Sequence, residues 1–317
     1  VLQFIQMIGF KVLVTGGLLL IGGLLVLNQE MNIGQFVAAE IIILLVINSV
    51  EKLILGLETF YDLLTSLEKM GQVVDKELEP QEGEKPFTEN QSFTIELSDI
   101  SYSVPEPKRE IISNLDLTIT PNCTILLRGK SGSGKNTLLR IIAGILEPDS
   151  GGVYVNGVSL KGMNLNYYRS HLGQSLPEES PFEGTILNNI TFGDKDTTIE
   201  QVYWALDKVG LTEFVKKQPD GLNTVLYPEG KQIPYAISKK IVLARSIVRK
   251  PKLLILKDPL DQFNTEEADR ILNFLSDSSN GWALLVVSEN DKWIKKCSRI
   301  ITMDKGRIIN EIEGKDA

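Results

Sequence analysis

Residues 129–137, GKSGSGKNT, bring glycines, hydroxyls and lysines together at a spacing that suits a phosphate chain. Gly129, Gly132 and Gly134 let backbone N–H groups face an anion. Lys130, Ser131 and Ser133 complete the turn, and Lys135 supplies a cation for the terminal phosphates. The apolar run 123–127 just before the loop predicts a short buried strand. Leu138, Leu139, Ile141, Ile142 and Ile145 follow it at helical spacing. That helix should aim the positive end of its dipole at the phosphates while its apolar face lies on a sheet. One position departs from the pattern. The residue after Lys135 should be Ser or Thr, whose hydroxyl ligates Mg²⁺, and it is Asn136, ahead of Thr137.

Composition says what positions this loop. Across 317 residues the hydrophobic content is 43% and the formal net charge is −8. Residues 1–57 carry almost no charge, whereas the chain after Glu58 is rich in it, so two parts of the protein meet different solvents. The acidity and the lack of a basic patch with interleaved aromatics exclude a nucleic-acid partner. Cys123 and Cys297 are far apart and read as reduced thiols. The lone His171 has no second His or Cys near it and reads as a surface or structural residue rather than a metal ligand. The chain begins at Val1 inside an apolar pattern without an initiator Met, so a preceding N-terminal portion is expected.

Residues 8–27 and 36–57 are each apolar and long enough to cross a bilayer, with the polar turn NQEMNIG between them. Lys11 should snorkel to the interface. Lys11, Lys52 and Lys69 fall on one side, which the positive-inside rule makes cytoplasmic, leaving the turn outside. Glu40, Asn48 and Glu51 either line a substrate path or bond helix to helix. Leu53, Leu57, Phe60, Tyr61, Leu64, Leu67 and Met70 continue the pattern as one helix to about residue 76. Residues 77–86 have a linker's composition. From 87 onward the periodicity changes: 93–102 and 115–119 alternate as antiparallel strands, while 253–256, 283–287 and 299–303 read as strands of a parallel sheet with helices at 236–248 and 266–275.

The order of these segments resembles the nucleotide-binding domain of ABC transporters, attached to the last two spans of an exporter-type membrane domain. The resemblance covers the whole chain. It rests on the glycine loop, on LEPDSGGVYVNG (146–157), PFEGTILNNITFG (181–193), KKIVLARSIVRKPKLLIL (239–256) and RIITMDKGRI (299–308). It implies an α/β P-loop NTPase domain of ABC type, with a parallel core sheet, an antiparallel β subdomain and a helical subdomain, preceded by an α-helical transmembrane hairpin. It also implies ATP and Mg²⁺ as cofactors, and a second half-transporter subunit, identical or different, that closes head to tail on this one.

The resemblance also assigns roles, and most of the assigned positions are altered. After the strand 253–256 the family has an Asp that holds Mg²⁺ and a Glu that polarises water; here they are Lys257 and Asp258. At about 4 Å and an effective dielectric of about 20, one unit-charge pair is worth about 4 kcal/mol, so Lys257 should strongly oppose a divalent cation. Asp258 is one methylene shorter than Glu, and a misplacement of about 1 Å can cost about a hundredfold in rate. The signature Leu-Ser-Gly-Gly-Gln falls on Ile233, Pro234, Tyr235, Ala236 and Ile237, without the hydroxyl and glycines that approach a phosphate. The adenine-stacking aromatic is Val104, and the metal-sensing Gln falls on Pro177 or Glu178. The switch His is Glu289, and the sandwich-facing Asp is Asn264.

The expectation is an exporter subunit of the cell membrane, multi-pass, its nucleotide-binding domain cytoplasmic. It binds ATP through residues 129–137, with Lys257 beside the phosphates, no metal held by protein ligands, and hydrolysis impaired or lost. The alternative is a regulatory or structural pseudo-ATPase that transports nothing.

Overall fold

The computed structural model describes residues 2–80, 82–87, 91 and 93–314, the side chains of 2–8 and 55 aside. The chain forms two compact units, Val1–Glu79 and Pro80–Ala317. In the first, helix α1 (Leu2–Leu27) turns back into α2 (Ile33–Val74), which runs unbroken through the expected extension. Asn32 caps α2 by accepting the Gln35 N–H at 2.8 Å, while the Gln35 side chain accepts the Asn32 N–H at 3.1 Å. This reciprocal cap fixes the entry to the second helix. Gly9–Leu27 and α2 are both long and apolar enough to cross a membrane. Lys11 does not stand alone as the sequence suggests: its ammonium pairs with Glu51 of α2. A charge pair inside the hairpin costs less in an apolar medium than either ion by itself.

The segment read as a linker is pinned at one point. Glu84 N–H donates to Gly162 O at 3.0 Å and Glu84 O accepts the Asn164 N–H at 3.1 Å. Residue 81 of that segment lies outside the described residues. In the second unit, β1 (Ile95–Val104), β2 (Arg109–Ile119), β4 (Ser150–Val155) and β5 (Val158–Ser159) form an antiparallel sheet in the order β2-β1-β4-β5. Strand β3 (Thr124–Arg128) and helix α3 (Lys135–Ile142) lie between β2 and β4 in sequence. After the short α4 (Leu165–Ser170) come β6 (Leu172–Ser175), β7 (Gly184–Thr185), α5 (Ile186–Thr191), α6 (Ile199–Val209), α7 (Thr212–Lys216), β8 (Val225–Leu226) and α8 (Tyr235–Ile247). The chain ends with β9 (Leu253–Lys257), α9 (Thr265–Leu275), β10 (Ala283–Val287), β11 (Arg299–Asp304) and β12 (Arg307–Glu313). The main sheet runs β12-β11-β3-β10-β9-β6, parallel except for β12.

Both faces of this sheet are buried, as a parallel sheet requires. Ile125, Leu127, Leu253, Ile255, Leu285 and Val287 pack with Leu138, Leu139, Ile141 and Ile142 of α3. Leu126, Leu254, Leu256, Leu284 and Val286 pack the other way, with α5, α6, α8 and α9. The two-residue alternation therefore decides which strand-end side chains share a face with α3. One expectation fails here. Ile145 does not continue the apolar stripe, because α3 ends at Ile142 and Gly144 turns with φ 67°, leaving Ile145 47% exposed. His171 is structural: its ring packs on Phe87, Phe93 and Tyr167, and its Nδ1 lies 2.8 Å from Tyr167 O. Cys123 and Cys297 are buried and unpaired with each other.

Candidate functional site

The loop 129–134 has the shape that its glycines predict. Gly129 (φ 145°) and Gly134 (φ 99°) adopt backbone conformations that favour glycine. A Cβ on Gly129 would meet Met303 O at 2.2 Å, and one on Gly134 would meet Ile111 O at 2.9 Å. The loop is therefore tucked against neighbouring backbone and cannot carry side chains at those two points. Ser133 is buried, its N–H donates to Lys130 O at 3.1 Å and its O accepts the Gly306 N–H at 3.0 Å. Gly306 O in turn accepts the Ser113 N–H at 3.1 Å, so the β11–β12 turn braces the loop against β2.

Lys135, the first residue of α3, folds its ammonium into the loop. It donates to Gly129 O, to Lys130 O at 3.0 Å and to Ser133 Oγ at 3.3 Å. Burial holds its pKa below the usual lysine value, Lys257 pushes the same way, and Glu289 and Asp258 oppose. The four groups share one electrostatic neighbourhood. Lys257 ends β9 on the α3 side, because it follows Leu253 and Ile255 in alternation, and it pairs in register with Val287 of β10. Asp258 follows in a left-handed conformation (φ 45°) with its N–H on Val287 O at 2.8 Å. Its carboxyl is raised above the usual range, first by burial, then by Asp261 and Glu289, while Lys257 and a hydrogen bond from Ser288 oppose.

Glu289 is 66% exposed and turns toward Arg128, the last residue of β3. Arg128 Nη2 is 3.6 Å from Glu289 Oε2 and donates to Glu289 O at 3.4 Å, while Nη1 is 3.1 Å from Asp291 Oδ1. Sequence reasoning missed Arg128, Asp261 and Ser288. A charge closing the apolar run 123–127 was the available signal for Arg128. Arg128, Gly129, Lys130, Ser131 and Glu289 open onto one cavity of about 660 Å³, floored by Ile294, Ile300 and Ile312.

Asn136 is exposed on the first turn of α3 and Thr137 is half-buried. At the two positions expected to hold Mg²⁺, the chain has the amide of Asn136 and the ammonium of Lys257. A phosphate chain does fit, since the narrow glycine cradle and Lys135 are in place. Among the described residues no group of three His, Cys, Asp or Glu side chains is placed to hold a metal ion.

The remaining expected positions lie apart from this cluster. Ile233 is half-buried, Pro234 caps α8 without a side-chain hydrogen bond, and Tyr235 is 58% exposed under the Lys239 ammonium, 5.4 Å from its ring centre. Ala236 and Ile237 are half-buried, and the Ile237 N–H donates to Pro234 O at 2.9 Å. Tyr102 packs against the core, while Val104, at the end of β1, is exposed. Glu178 pairs with Arg140 in the last turn of α3 at 2.8 Å, far from the loop end of that helix. Asn264 is the N-cap of α9 and accepts the Glu267 N–H at 2.9 Å.

Residues 112–261 match the family described as ABC transporter. A relative named ABC multidrug transporter MDR2, from Trichophyton interdigitale, is 31% identical over 236 residues, covering 74% of this chain and 18% of that protein. The alpha-hemolysin translocation ATP-binding protein HlyB of Escherichia coli O157:H7 is 27% identical over 306 residues, 96% of this chain and 43% of that protein. The chain thus spans well under half the length of these relatives. Among solved structures, a bacterial Atm1-family ABC exporter with ATP bound superposes with a TM-score of 0.72 at 18% identity, over 90% of this chain and 50% of that one. That likeness shows the fold.

Proposed function

We propose that this polypeptide, which carries an ABC transporter domain over residues 112–261, is part of an exporter subunit that binds ATP at residues 129–137 without Mg²⁺ and hydrolyses it poorly or not at all. The observation that carries the reading is the pairing of an intact phosphate cradle with Lys257 on the same face of the sheet. Residues 129–135 would hold the phosphates, and Lys257 would supply part of the positive charge that a metal ion otherwise brings. ATP bound here contributes charge and contact rather than a reaction. Asp258 is one methylene shorter than Glu, which would set its carboxylate back from the water that a base activates.

The hairpin α1–α2 supports a place in the membrane, with the nucleotide unit on the cytoplasmic side and a second half-transporter subunit as partner. A purely regulatory pseudo-ATPase would leave the hairpin unused. The test is ATP affinity of the whole chain in detergent micelles, with Mg²⁺ and again with excess chelator. Equal or tighter binding in chelator is the expected result. Binding that disappears in chelator would overturn the metal-free reading.

A further inference from the structure

We propose that α4 couples the phosphate loop to the chain leading back to the hairpin: one of its residues holds the strap 83–87, and the next two hold the far end of α3. The inference rests on nucleotide binding at residues 129–137 and adds where in the chain that binding is felt. Nothing in its composition marks the strap as held, yet it lies in a fitted seat. Gly83 adopts φ 134°, and a Cβ there would meet Asn164 N at 2.5 Å. Glu84 forms a parallel bridge with Met163, beside its backbone bonds to Gly162 and Asn164. Lys85 Nζ lies 5.8 Å from the Tyr167 ring centre. Phe87 is 4% exposed, its ring 5.3 Å from that of Phe93 and 5.1 Å from that of Tyr167, and the Tyr167 hydroxyl donates to Phe87 O.

Helix α4 also grips α3. The last carbonyls of a helix have no partner within it. Here the fully buried Tyr168 donates its hydroxyl hydrogen to Ile142 O, and Arg169 Nη2 donates to Gly144 O just beyond. Helix α3 is eight residues long with Leu138, Leu139, Ile141 and Ile142 buried, so it moves as one piece. Its first residue is Lys135, which reaches into the cradle. A phosphate that engages Lys135 and the loop N–H groups pulls on one end of this rod, and Tyr168 and Arg169 are bonded to the other. Tyr167 adjoins them, its N–H held by Asn164 Oδ1 at 2.8 Å, while the Asn164 N–H donates to Glu84 O. The strap is the least anchored member of this series, held by a few bonds and one ring beside a helix locked in the core. A shift of α4 is therefore expressed there.

Amide exchange at residues 83–87 is measured by mass spectrometry on the whole chain in detergent micelles, with and without saturating ATP, for the wild type, Tyr167→Phe, Tyr168→Phe and Arg169→Gln. ATP should change the wild-type exchange rate there at least about threefold. Tyr167→Phe, which removes the bond to Phe87, should raise exchange without ATP about three- to tenfold. Tyr168→Phe and Arg169→Gln should keep ATP affinity within about twofold while cutting the ATP-induced change by at least about half. Unfolding midpoints identify a variant that fails to fold, and the other then decides. A strap indifferent to ATP in a wild type that binds it would overturn the coupling while leaving the nucleotide site standing. So would a full ATP response in the α4 variants, or unchanged exchange in Tyr167→Phe. A wild type that binds no ATP would overturn the proposed function and this inference together.

Discussion

Removing the carboxylate of Glu267 should destabilise the nucleotide-binding unit more than its surface position suggests. Lys240, on the helix that follows the altered signature, has only 4% of its side chain exposed. Its ammonium is 2.6 Å from Glu267 Oε1 at the start of α9, and 5.4 Å from the Phe263 ring centre. In Glu267→Ala that cation keeps the ring and loses its counter-ion. Breaking a buried pair typically costs about 3–5 kcal/mol. Here Glu267 is 36% exposed, so water reaches one side, and the aromatic face returns about 1 kcal/mol. The expected loss is about 2–3 kcal/mol, or about 5–10 °C in unfolding midpoint for a unit of this size. The Asn264 cap survives, because it uses the Glu267 backbone. Lys240→Met combined with Glu267→Ala should recover most of the loss, since the stranded charge is gone. Thermal unfolding of the four proteins of this double-mutant cycle decides it. A loss under about 0.5 kcal/mol, or a double variant as unstable as the sum of the singles, would refute the reasoning.

Three more outcomes are expected. Gly129→Ala forces a Cβ onto Met303 O, so nucleotide affinity measured by calorimetry should fall at least about tenfold; unchanged affinity would mean the loop is not the binding element. Lys257→Asp should weaken ATP binding in chelator, and together with Asn136→Ser it should make binding respond to added Mg²⁺; a double variant still indifferent to Mg²⁺ argues against the charge substitution. Burial, against the opposing Arg245 guanidinium, pushes the Glu179 carboxyl up to about 7 from 4.5. The folded protein thus holds this proton more tightly than the unfolded chain, and the cost of ionising it appears as pH rises through that window. Glu179→Gln should gain about 1–3 kcal/mol near pH 8 and almost nothing near pH 4.5, by unfolding midpoints at the two pH values. An equal effect at both would contradict it.

The loop was legible because its meaning is local: a strand, three glycines, a lysine and a helix in one stretch of 123–142. The strands themselves were legible from short apolar runs, and α2 from continuous periodicity. Strand order was not, since β3 lies between β11 and β10, whose residues come more than 150 positions later and carry no mark of their neighbour. Ile145 was misread because spacing alone cannot see that Gly144 turns the chain out of the helix. Arg128 and Glu289 were each visible as charges after an apolar run, but their pairing required the parallel register of β3 and β10. Glu178 shows the same limit, its partner Arg140 being 38 residues away.

The lysine folded into its own loop also sets what a phosphate can gain there. Lys135 already donates to Gly129 O, Lys130 O and Ser133 Oγ. A phosphate that takes over its ammonium would gain a charge-assisted bond and give up these three neutral ones, so the net gain at this residue is smaller than the gross strength of a lysine–phosphate contact.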